Sequence, residues 1–115
     1  MKLRIVFTVV ATVAALAVAG VALAQDKALI EKGLKLYADQ KCSMCHSIAG
    51  KGNVKGPLDA VGTKLKSDEL MAWLVKPAEM HVKMKADRKP PMKAYATLPK
   101  EDLDALVAYM MSLKK

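Results

Sequence analysis

Beyond its first two dozen residues, this chain repeats apolar positions three and four apart, the period of a helix with one buried face. Leu29, Ile30, Gly33, Leu34 and Tyr37 form the first stripe, on a helix running from about Asp26 to Gln40. The second helix opens at Ser67, a good N-cap, with Asp68 and Glu69 favourably placed in its first turn. It carries Leu70, Trp73 and Leu74 inward and stops at Pro77. The third begins near Pro99, tolerated in a first turn, with Glu101 and Asp102 close behind. Its stripe is Leu103, Leu106, Val107 and Met110, and Lys114 and Lys115 complement its negative end. No β-type alternation persists and no internal repeat is visible. The pattern predicts an all-α domain of three or four helices.

Two Gly/Pro/Lys-rich stretches, Ile48 to Lys66 and Pro77 to Leu98, separate these helices. Loops that long are unusual in a compact domain unless they enclose something. Ahead of the helices, Lys2 and Arg4 precede a 20-residue uncharged run from Ile5 to Ala24, ending Ala22-Leu23-Ala24. That reads as a signal peptide over residues 1–24, leaving one exported domain over 25–115. The run is also long enough to stay as a membrane anchor. Either way the domain is expected outside the cytoplasm, in the periplasm. At 91 residues, with Tyr37, Trp73, Tyr95 and Tyr109 as its aromatics, it has a modest core and needs a staple.

Cys42-Ser43-Met44-Cys45-His46 offers one. C-x-x-C-H is a haem-attachment signature: two thiols three positions apart can add to the two vinyl groups of a porphyrin. His46 then falls under the ring, where an imidazole nitrogen can take one axial position of the iron. Zinc wants four ligands, and there is no second CxxC, only His81. A thioredoxin-like reading lacks the surrounding βαβ pattern. The two long loops then have an object to wrap, one on each face.

With these motifs the chain resembles a small bacterial, exported, single-haem class I c-type cytochrome. Gly33-x-x-x-Tyr37 leads into the CxxCH motif, Gly56-Pro57-Leu58 follows, then Trp73-Leu74 before Pro77, and finally Leu106-Val107-Ala108-Tyr109. The resemblance implies a cytochrome c-like fold around one covalent haem c, held through Cys42 and Cys45, with His46 on the iron. It implies that the Pro57 carbonyl accepts the other N–H of His46, as second-shell groups do. It also implies that the first and last helices cross with Gly33 against Tyr109, and that Trp73 hydrogen-bonds a propionate. Arg88, the one arginine after the leader, is expected as a further propionate partner. The chain departs from the family at Lys93, where a proline usually follows the ligand methionine, and at Leu98-Pro99 before the last helix.

Seven methionines follow the leader, most of them adaptable core filler or surface. Met92 differs, because Pro90 and Pro91 stiffen the backbone just before it. It is expected to be the distal thioether ligand, with Met84 second and His81 third. His/Met ligation fills both axial positions and raises the potential relative to bis-His. That suits a one-electron carrier and not an enzyme; an open sixth site would instead suit a haem enzyme or ligand-binding sensor.

The chain has 19 basic and 11 acidic side chains, a net charge of +8. Without Lys2 and Arg4, 17 basic residues remain against the same 11 acids, +6. Lys41, Lys51, Lys55, Lys83, Lys85, Lys89 and Lys93 cluster in sequence near the expected haem rim. They are expected to steer a monomer toward redox partners with acidic docking surfaces. Nothing interleaves basic and aromatic residues as nucleic-acid binding would. A membrane is a partner only if the leader is retained.

Overall fold

The structure, a computed structural model, describes residues 26–115; the leader expected over 1–24 lies outside them. Helix α1 covers residues 26–39 and runs into a short 3-10 turn, Cys42–Met44. A small antiparallel hairpin follows, β1 (Ser47–Ile48) paired with β2 (Lys51–Gly52). Then come α2 (Val61–Lys64), α3 (Ser67–Val75), α4 (Pro77–Lys83) and α5 (Lys100–Met111).

The core forms where the apolar stripes of α1, α3 and α5 meet. Leu103, Ala105, Leu106, Val107 and Met110 of α5 are buried, as the helical spacing requires. Tyr37 from α1 and Leu70 and Leu74 from α3 complete the cluster. Burying a side chain of this size contributes roughly 1.5–3 kcal/mol.

α1 crosses α5 at Gly33. A Cβ there would overlap the Ala105 carbonyl oxygen and stand 2.6 Å from Tyr109 Cβ, so only glycine permits the approach. The expected Gly33–Tyr109 crossing is present. Tyr37 closes it edge-to-face on Tyr109, ring centroids 5.9 Å apart. At the rim, Lys32 pairs with Asp102 at 3.0 Å.

Several expectations change. Leu34 is exposed, because it stands one helical step, about 100°, round from Gly33; Leu36 packs on the core instead. The N-cap of α3 is Lys66, with Ser67 already helical, because the Glu69 carboxylate reaches back to accept the Lys66 N–H at 3.0 Å. Trp73 is half-buried and stands apart from the core cluster that Leu70 and Leu74 join. Pro77 ends α3 and also starts α4, a proline being as good at a first turn as it is bad in an interior. The long loops therefore contain a hairpin and two short helices. α2 is held at the end of α5, where Gly62 N–H donates to the Leu113 carbonyl at 2.8 Å.

Candidate functional site

α1 stops at the left-handed Lys41 (φ 55°), which swings the chain into the Cys42–Met44 turn. Cys42 closes it by accepting two N–H groups, from Cys45 at 3.1 Å and from His46 at 2.9 Å. Both thiols are free, Cys42 half-buried and Cys45 exposed. Burial pushes the Cys42 thiol above its ordinary pKa, against the opposing pull of the Lys93 ammonium.

The His46 ring is fixed by a single bond: Nδ1 lies 3.1 Å from the Gly56 carbonyl oxygen. A carbonyl only accepts, so Nδ1 carries the proton and Nε2 keeps its lone pair. Burial lowers the imidazole pKa, the Arg88 charge lowers it further, and the Gly56 bond opposes both. The result is a neutral imidazole with one nitrogen available to a metal.

The acceptor is Gly56, not Pro57 as expected. Ser47 fixes this, donating its N–H to Gly56 O at 3.1 Å while accepting the Leu58 N–H at 2.8 Å. That pairing aims the Gly56 carbonyl at the attachment turn, and Ser47 itself is 2% exposed. The Arg88 guanidinium lies against Gly56, its Cζ 2.9 Å from where a Cβ would stand.

The loop opposite comes to the same place. Tyr95 N–H donates to the Leu74 carbonyl at 2.7 Å, tying the loop to α3. Met92, Tyr95 and Cys42 each pack, partly buried, on the core cluster. The Tyr95 phenol has its pKa raised by burial first and then by the neighbouring Cys42 and Cys45. Lys93 stands 5.1 Å over the Tyr95 ring. Met84, by contrast, is 42% exposed at the end of α4, and Met80 is buried in the fold. His81 is half-buried on α4.

Two supports escaped the sequence reading. Asn53 donates its N–H to Ser43 O and to His46 O and its Nδ2 to Met44 O. Asp59 accepts the Ala49 N–H at 2.7 Å, holding a hairpin turn with Ala49 at φ 52°. Asn within a Gly/Lys-rich loop is a turn signal that could have flagged the first.

The donor set fits a covalently attached haem: two free thiols on one turn and an imidazole with a free nitrogen, with the Met92 thioether packed on the core cluster that Cys42 also meets. A buried hydroxyl, Tyr37 Oη, has no hydrogen-bond partner among the described residues.

A sequence model of the family described as Cytochrome c matches residues 30–114. The chain is also 27% identical over 95 residues to cytochrome c oxidase subunit 2 of Alkalihalophilus pseudofirmus (strain ATCC BAA-2126 / JCM 17055 / OF4). That alignment covers 75% of this chain but 26% of the relative, so the chain spans about a quarter of that protein's length. No match to a solved structure reaches significance.

Proposed function

Because this chain belongs to the cytochrome c family, with a covalently bound haem c, its iron and haem-based electron transfer, we propose that it is an exported one-electron carrier with His46 and Met92 as axial ligands. When bound, the haem supplies a ferric/ferrous couple; the protein's part is to hold that couple still. Cys42 and Cys45 would form the thioethers, and the domain over 25–115 would be released after its leader. The observation that carries the reading is the His46–Gly56 bond at 3.1 Å, which fixes the tautomer and leaves Nε2 for the iron.

Packing on the core cluster supports Met92 as the second iron ligand over the more exposed Met84. With both His46 and Met92 holding the iron no position would be left for substrate, which favours a carrier over a haem enzyme or sensor. Arg88, which makes no ion pair among the described residues, and Trp73 are the proposed propionate partners. Pro57 contributes stiffness after the Gly56 acceptor.

The seven rim lysines are all exposed, and none pairs with a carboxylate among the described residues. That supports a transient encounter with an acidic surface of a redox partner. A second reading follows from the named relative: a redox subunit docked permanently on a membrane complex. The mass of the purified protein separates the two, since a retained leader adds residues 1–24. Visible spectra in both oxidation states test the main reading: a low-spin spectrum with a methionine–iron charge-transfer band supports it, and a high-spin spectrum that binds cyanide at once contradicts it.

A further inference from the structure

Asn53 uses both of its backbone groups and both of its side-chain heteroatoms. Its N–H reaches the Ser43 and His46 carbonyls, each at 3.0 Å, and its own carbonyl accepts the Gly56 N–H at 3.1 Å. Nδ2 donates to the Met44 carbonyl at 3.2 Å. Oδ1 accepts the Lys55 N–H at 3.1 Å.

These bonds fall into two sets. Three tie Asn53 to the attachment turn, on residues 43, 44 and 46. Two bend residues 53–56 back on themselves, an Asx turn laid over a β-turn with Asn at its favoured first position. The last residue of that bend is Gly56, whose carbonyl holds His46 Nδ1. Backbone packing supports the same join, because Gly52 lies close against the Ser43 and His46 carbonyls and Gly56 against Cys45, whereas the side chains of Lys51, Val54 and Lys55 are exposed, Val54 at 69%. Hydrogen bonds of one residue, two of them from its side chain, therefore join the histidine's turn to the bend that ends at the histidine's acceptor, alongside the Ser47 pairing that aims that carbonyl.

We infer that Asn53 is a positioning residue for His46, acting through Gly56 to set how strongly the imidazole donates to the iron. This rests on His46 being an axial ligand. An N–H donated to a well-placed carbonyl makes the other ring nitrogen a better donor. A better donor favours the ferric state, and a slackened Gly56 contact favours the ferrous one. Removing the Asn53 side chain leaves its backbone bonds possible but no longer enforced.

The test compares the haem-loaded full chain with Asn53→Ala and Asn53→Ser. The serine oxygen can still accept the Lys55 N–H, so the bend is partly kept. In Asn53→Ala the His46 Nδ1–H and Gly56 N–H should exchange with solvent about tenfold faster by NMR. The reduction equilibrium should move toward ferrous by about threefold, roughly 30 mV for one electron. Asn53→Ser should recover at least half of both changes. A lower melting temperature with unchanged exchange and potential would mean a structural role only, and overturns the inference. If Asn53→Ala is not recovered with haem, Asn53→Ser against the parent decides: faster exchange of both protons supports the inference, parental exchange overturns it. A parent whose His46 signals are not shifted by the iron overturns the axial reading, and this inference with it.

Discussion

Adding one methyl group at Gly33 should cost this protein a large part of its stability. The new Cβ would run into the Ala105 carbonyl oxygen and stand 2.6 Å from Tyr109 Cβ and 2.8 Å from the Ala105 carbonyl carbon. Ordinary carbon contacts need about 3.5 Å or more. Two of the three obstacles are main chain of a helix whose residues 103, 105, 106, 107 and 110 are buried, so neither partner can yield cheaply. Overpacking of this kind costs about 1–3 kcal/mol, and the rigid obstacle argues for the upper end. Against it stands the gain of about 1 kcal/mol when alanine replaces glycine inside a helix. The net loss is about 2 kcal/mol, or about 8–16 °C in melting temperature for a domain of this size. Gly33→Val should lose more. The assay is thermal and urea unfolding of the haem-loaded protein, followed by helical circular dichroism. A Gly33→Ala variant that melts with the parent, or above it, refutes the helix crossing, because only the propensity gain would then remain.

Other consequences concern the buried phenol, the distal ligand and the charged rim. Burial pushes the Tyr37 pKa from 10 to about 12. The native state thus keeps that proton longer than the unfolded chain, and stability present below pH 10 is lost as pH climbs toward 12, by roughly 2 kcal/mol. Tyr37→Phe should flatten this fall in urea titrations at several pH values. At neutral pH it should leave stability unchanged or raise it by about 1 kcal/mol, because a buried hydroxyl without a partner is removed; a loss above that size would show the hydroxyl to be satisfied. Met92→Ala should abolish the methionine–iron charge-transfer band of the oxidised spectrum while Met84→Ala preserves it, and the opposite pattern would move the ligand to α4. Electron-transfer rates with an acidic redox partner should fall steeply as salt rises and be blunted by charge reversal at Lys51 and Lys55; rates indifferent to salt would rule out steering.

What could be read from the chain beforehand was whatever depends on neighbours in sequence. The CxxCH turn is local chemistry, and the buried faces of α3 and α5 follow from helical spacing. A glycine inside a helix needs a packing reason, so Gly33 drew notice by itself, but Tyr109 as its partner came from the resemblance. Elements held by distant partners were not legible. α2 has four residues, too few to announce a helix, and stands because Gly62 donates to Leu113. The acceptor for His46 slipped from Pro57 to Gly56 because its position is set by Ser47 pairing across the loop. Leu34 and Trp73 belong to plausible stripes, yet the face that packs is decided by what lies opposite. Asn53 gave a turn signal, but nothing in its neighbourhood said which carbonyls it would find.

The most direct test asks whether pigment and polypeptide are one molecule through Cys42 and Cys45. Purified protein, denatured and extracted with acidified organic solvent, should keep its colour on the chain, and Cys42→Ser with Cys45→Ser should release it. Colour that passes into the solvent from the unaltered protein, or a fully matured preparation without colour, would contradict the account.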